Sequence, residues 1–269
     1  MFRKEGKRGQ VTIFIIIAVL VVALVVLVFL YFPEIISKVS SETKNPAGFI
    51  QNCIEEQIED NTEIILKQGG YLVVNSRDGY LYKKEGDSEA RYVGYVCYTA
   101  DSYVPCINQE PFLREHFEEE ILDSISEDMQ GCFNNLVKSY ENKGYDVNLE
   151  EGIPQVKIKP NVISTNFNRT LTLIKGEESE RYENFQIDLN SNLYEMLGIA
   201  ENIVSWEINV GDSMIEAYMY DNPYIKVEKH RKDDGTKIYV LTDKNTEEDL
   251  RFAVRSFAAP VGFTGLDQI

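Results

Sequence analysis

The residues that could do chemistry of their own are few, and the cysteines say most. Cys53, Cys97, Cys106 and Cys132 are the chain's four cysteines, an even number with no C-x₂₋₄-C knuckle, which favours disulfides over a zinc site. Three connectivities exist. The favoured one closes the short loop YTADSYVP through Cys97–Cys106 and staples two helices through Cys53–Cys132. Of two histidines, His230 lies in a strand-like stretch and His116 in REHFEEE, which reads as a solvated helix face. Asp243-Lys244-Asn245-Thr246-Glu247 alternates oxygen-bearing side chains as calcium loops do, but lacks the turning Gly and the closing Glu, so it reads as a charged hairpin end. Asn168-Arg169-Thr170 is the one N-x-[ST] sequon, an acceptor for glycosylation if exported. HExxH, GxSxG, P-loop and GxGxxG patterns are absent from the sequence, and no cofactor or metal is expected. A single Trp, Trp206, argues against an aromatic-rich sugar cleft.

One fragment points to nucleophilic catalysis. Gly211-Asp212-Ser213-Met214-Ile215 resembles the nucleophile box of signal-peptidase and LexA-type Ser–Lys proteases. The resemblance implies Ser213 as nucleophile and Lys244 as its base, which would have to be desolvated to act near neutral pH. The sequence departs from that pattern in having Asp221-Asn222-Pro223 where a supporting Gly-Asp would stand. Lys244 also falls in the polar stretch TDKNTEED.

The surroundings of these residues are set by the N-terminus. From Val11 to Phe32 the chain runs 22 residues without a charge; at ~1.5 Å rise per residue a helix of that length spans about 33 Å, enough for about 30 Å of hydrocarbon. In lipid the backbone must satisfy its own hydrogen bonds, so a transmembrane helix is expected despite the many Val and Ile. Arg3, Lys4, Lys7 and Arg8 against Glu5 make residues 1–10 a basic tail. The chain as a whole carries −17, so the remainder is strongly acidic, and the positive-inside rule places the tail in the cytoplasm and the rest outside. The acidic balance argues against nucleic acid as a partner. Membrane lipid around Val11 to Phe32, and protein partners or further copies of the chain at the cell surface, are the expected contacts.

Lys7-Arg8-Gly9-Gln10-Val11-Thr12, followed at once by the apolar run, resembles the class III signal of archaeal type IV pilin-like proteins. The resemblance covers about 25 residues at the N-terminus. It implies cleavage between Gly9 and Gln10, with the apolar helix kept on the mature protein. Many pilins carry a Glu at the position of Phe14 here, and Pro33 and Pro46 interrupt the long stalk that pilins continue. The ectodomain also resembles uncharacterised archaeal membrane-anchored surface proteins, which implies no activity.

Residues 33–45 read as a polar linker, 46–259 as an ectodomain with a candidate sub-boundary near 145, and 260–269 as a tail. Pro46 at a first helical position opens a helix with Ile50, Ile54, Ile58 and Ile65 on one face, ended by Gly69-Gly70. Tyr71–Asn75 and Tyr80–Lys84 read as a hairpin turned at Asp78-Gly79, and Arg91–Thr99 as a third strand. A second long helix from near Pro111 to Gly144 carries Phe117, Ile121, Ile125, Met129, Phe133, Leu136 and Tyr140. Strands are expected over 156–159, 162–167, 170–175 and 184–189, and a helix over 191–207. A closing hairpin over 224–230 and 237–242 and a last strand over 251–257 complete an α+β fold, mainly antiparallel with packed helices.

Overall fold

The computed structural model describes residues 45–259. The basic tail with Gly9 and Gln10, the apolar run Val11 to Phe32, most of the linker and the tail 260–269 lie outside the described residues. Within them the fold is α+β, with four helices and three sheets. No helix among the described residues is long and apolar enough to cross a membrane.

Helix α1 (Pro46–Lys67) and helix α2 (Leu113–Glu141) form the centre. On α1 the buried positions Ile50, Ile54, Ile58 and Ile65 recur at helical spacing, while Glu55, Glu56, Glu59 and Asp60 face outward. On α2 the stripe from Phe117 through Ile121, Ile125, Met129, Phe133 and Leu136 to Tyr140 is buried. The two stripes meet antiparallel. Cys53 is bonded to Cys132 with Cα atoms 5.9 Å apart, and one helical stretch further on Asn61 Nδ2 donates to the Ser124 carbonyl at 2.9 Å. Each fully buried Ile or Phe in such a seam contributes about 1.5–3 kcal/mol.

A six-stranded sheet runs in the order β1 (Gly79–Tyr82), β2 (Arg91–Tyr98), β12 (Asp249–Arg255), β11 (Lys237–Asp243), β10 (Ile225–Arg231), with the short β3 (Ile107–Asn108) also on β2. The pairs are antiparallel except β2 with β12, which lie parallel because the chain between them leaves the sheet and returns. Two three-stranded antiparallel sheets fill that excursion: β4 (Asp146–Glu150), β7 (Thr170–Lys175), β8 (Glu178–Tyr182), and β5 (Gln155–Lys159), β6 (Val162–Asn166), β9 (Gln186–Asn190). Strands β5 and β9 alternate exposed and buried residues strictly, the period that places one face on a core. Phe133 of α2 packs edge-on against Phe167 and Phe185 at 5.8 and 5.2 Å, so the buried core is continuous across residue 145. Helices α3 (Leu193–Asn209) and α4 (Ile215–Asp221) complete the described chain.

Three features differ from the reading of the sequence. Tyr71–Asn75 is not a strand: the Leu72 N–H is met by Glu120 at 2.7 Å, the Leu72 carbonyl by Gln68 Nε2 at 2.8 Å, and the Asn75 carbonyl by the Asp78 amide at 3.0 Å. Strand β1 therefore pairs with β2 and not with this strap. Second, β3, β8 and α4 were hidden, being short or polar on both faces, and β4, whose Val147 and Leu149 are only half-buried, was missed as well. Third, β12 starts at Asp249, earlier than the apolar run suggested, because Asp249 and Arg251 point into a buried ion cluster. Arg251 bonds Asp87 at 2.7 and 2.9 Å and Asp249 at 3.0 Å, and Lys84 bonds Asp249 at 2.7 and 2.8 Å. This cluster fixes the β1–β2 loop to the middle of the sheet.

The cluster predicts acid sensitivity. The Arg251 hydrogen bonds hold the Asp87 carboxyl below its ordinary range. Burial raises Asp249, but hydrogen bonds from Lys84, Thr242 and Arg251 outweigh it and leave that group lowered too. Folded pKa values below the unfolded ones mean stability that is present above about pH 4 and lost as pH falls through the lowered values. Denaturation midpoints should fall with acidification in that window, and less steeply in Asp87→Asn. The staple is testable as well. The Cys53–Cys132 separation is 79 residues, and opening a loop of that size in Cys53→Ser/Cys132→Ser should cost about 4 kcal/mol in urea unfolding.

Candidate functional site

A strap from Tyr71 to Asp78 is pressed between β2 and the start of α2, and the cleft beside it brings the most varied side chains together. Gly70, at φ 98°, turns the chain out of α1; a Cβ there would lie 2.8 Å from the Phe117 ring and 3.0 Å from that of His116. Gly94 leaves room for the Tyr71 ring, which a Cβ would meet at 2.7 Å. Tyr71 lies against His116 with ring centroids 4.6 Å apart, and its hydroxyl donates to Glu110. His116 Nδ1 is 3.6 Å from the other Glu110 oxygen. Burial and the carboxylate it serves push the Tyr71 phenol well above its ordinary value, so it stays a neutral donor.

The opposite wall follows the disulfide. Cys97 and Cys106 are bonded, with Cα atoms 5.4 Å apart, and the chain leaving Cys106 is held by Gln109 N–H donating to the Val96 carbonyl at 2.8 Å and Glu110 N–H to Asn108 Oδ1 at 3.0 Å. Tyr95 and Tyr98 pair their rings at 4.7 Å. Together these walls enclose about 380 Å³, with Asn75, Arg77 and Asp78 at the strap's end. Glu110 accepts from the Tyr71 phenol with the His116 imidazole 3.6 Å from its other oxygen, a geometry that orients groups without activating a nucleophile. His116 is thus not on a solvated face: only 17 % of its side chain is exposed, and it props the strap.

A larger cleft of about 630 Å³ lies between α1, the end of β9 and the β11–β12 turn. Three of its carboxylates already serve the fold. Glu248 accepts from Ser191 Oγ at 2.6 Å and Asn192 N–H at 3.0 Å, clasping the start of α3. Asp249 belongs to the Arg251 cluster, and Glu63 pairs with Lys67.

The remaining sequence candidates are placed as follows. Ser213 is buried, its hydroxyl 3.1 Å from that of Tyr218, which donates to Asn202. Lys244 Nζ donates to the Pro223 carbonyl at 2.7 Å. The lysine at the Ser213 turn is Lys229, bonded to Asp212 at 2.7 Å and to the Ser213 carbonyl at 2.8 Å. Beneath that turn lies a fully buried group: Lys237 Nζ reaches Glu207 at 2.5 Å and the Gly211 carbonyl, and Tyr239 donates to Glu207. The GDSMI segment is therefore anchored as the cap of a buried ion pair. Asp243 accepts the amides of Asn245 and Thr246 at 2.6 and 3.2 Å, so its oxygens shape the turn. Among the described residues no three His, Cys, Asp or Glu side chains converge as a metal would need. Asn168 is exposed with φ 47°, and its Nδ2 donates to the Ile153 carbonyl at 2.5 Å. His230 lies beside Tyr82 with centroids 5.4 Å apart.

The cleft was not legible as a motif, because its residues come from three separate stretches (71–78, 95–98 and 109–110) with no spacing in common. Two outcomes follow. Gly94→Ala should force Tyr71 outward at a cost of about 1–3 kcal/mol, and the Leu72 amide, otherwise held by Glu120, should lose hydrogen-exchange protection. Lys237→Met should cost about 3–5 kcal/mol in chemical denaturation by stranding Glu207, and Glu207→Leu added to it should recover much of the loss. Comparison of the chain with protein-family models, with curated proteins and with solved structures gives no match.

Proposed function

We propose that the chain is a single-pass, membrane-anchored cell-surface protein whose acidic ectodomain works by binding a partner, in adhesion or in envelope structure. The observation that carries this reading is the pair of disulfides, Cys53–Cys132 and Cys97–Cys106, which use every cysteine in the chain. Structural disulfides persist in oxidising compartments. Joined to the uncharged run Val11 to Phe32 and the basic residues before it, they support a cytoplasmic N-terminus and an exported domain. The binding role is supported by the tyrosine cleft, where Tyr71, Glu110 and the strap backbone are held in place and polar side chains stand exposed at the rim.

A second reading, a pilin-like filament or minor pilin subunit, is favoured by Arg8-Gly9-Gln10 at the mouth of the apolar run. N-terminal sequencing of the mature protein separates the two in part: a start at Gln10 keeps the filament reading, and an intact Met1 removes it. For location, a membrane-impermeant amine reagent applied to intact cells should label the exposed ectodomain lysines, such as Lys157 and Lys226. Labelling that appears only after permeabilisation would overturn the exported orientation.

A further inference from the structure

We infer that the tyrosine cleft takes a neutral saccharide, an assignment that rests on the ectodomain acting as a binding module. The inference comes from what the cleft offers at once. Tyr71 and Tyr98 supply amphipathic rings that can cover the apolar face of a pyranose while the hydroxyls point outward. Asn75 and Gln109 supply their amide oxygens and the second N–H of each amide, the first going to Asp78 at 3.4 Å and to the Ile107 carbonyl at 2.7 Å, while Asp78 and Glu110 supply acceptors and Arg77 supplies donors. A sugar hydroxyl both donates and accepts, so it uses all of these groups, whereas other ligand classes use only part of them. A quaternary ammonium would take the rings and the two carboxylates but leave the two amides and Arg77 without a use. An anion would meet Asp78, Glu110 and a chain of net charge −17. The cleft's volume of about 380 Å³ falls at the small end of ligand pockets, the size for one or two sugar rings.

Preorganisation strengthens the case. Tyr71 is held by Glu110, His116 and the space left at Gly94, the strap by Glu120, and the Gln109–Glu110 wall by β2 and the disulfide before it. A ligand entering this cleft need not order these groups, which lowers the entropy cost of binding. Asn75, Arg77, Asp78 and Gln109 are all exposed at the rim. The one-tryptophan composition hid the site, since tyrosines carry the aromatic surface.

The test is saturation-transfer NMR on the purified full chain in a zwitterionic, sugar-free detergent. The probes are maltoheptaose, a mannose oligomer and an N-acetylglucosamine oligomer, with tetramethylammonium as the competing chemistry. Saturable transfer to the ring protons of at least one sugar is expected. Asn75→Ala and Gln109→Ala, both at the rim and away from the core, should each weaken it about fivefold with an unchanged circular dichroism spectrum. Glu59→Gln in the larger acidic cleft should leave it unaltered. Transfer to none of the three sugars, transfer insensitive to both rim variants, or transfer to tetramethylammonium in their place would overturn the assignment. Because the assay uses purified protein, such a failure would leave the surface location and the disulfide argument standing, and those are tested by labelling of intact cells.

Discussion

The antiparallel seam between α1 and α2 is the constraint on which the rest of the domain depends. The six-stranded sheet reaches α1 through β12, and the two small sheets reach the pair through β9, β4 and β5. No strand of one set pairs with a strand of the other, and the helix pair, with α3 beside it, is the wall both share. The seam is held by apolar burial along its length and by Cys53–Cys132 at its flank. The bond acts chiefly on the unfolded chain, by removing the freedom of a long loop. Burial sets the register, and the disulfide keeps it.

An acidic chain has few cations, and the fold places several of them in buried or half-buried ion pairs. Arg251, Lys84 and Lys237 each join segments distant in sequence: the β1–β2 loop to β12, and the end of α3 to β11. Such pairs add little net stability over apolar packing, because both ions lose their water. They do penalise alternatives, since any other register would strand a buried charge. Glu207 makes the point most sharply. Its burial pushes its carboxyl upward, and two donors, Lys237 and Tyr239, offset that cost only when α3 and β11 sit as they do.

The cleft inherits its shape from these elements. Its strap exists because Gly70 lets the chain turn sharply after α1 and because Gly94 leaves a flat place for the Tyr71 ring. His116 illustrates how a local reading fails: flanked by Glu residues, it looked solvent-facing, yet the strap folds over it and buries most of its ring. The same folding turned the expected strand Tyr71–Asn75 into a clamp, since Glu120 and Gln68 outcompete a strand partner for its backbone.

The sequence by itself determined what depends on periodicity and composition. The apolar stripes of α1 and α2 were visible at a spacing of three to four, the strands β5, β6, β7, β10 and β11 in their β-rich runs, and the closing hairpin over 224–230 and 237–242. The disulfide pairing was also reachable, because Cys53 and Cys132 stood on or beside those stripes and Cys97 and Cys106 bounded a short loop. Only the tertiary structure decided the parallel pairing of β2 with β12, the buried partners of Arg251 and Glu207, and the cleft. Each of these joins residues far apart in the chain, through backbone pairing or side-chain contacts that leave no periodic trace. Local physics specifies elements; which polar groups face one another is settled when those elements pack.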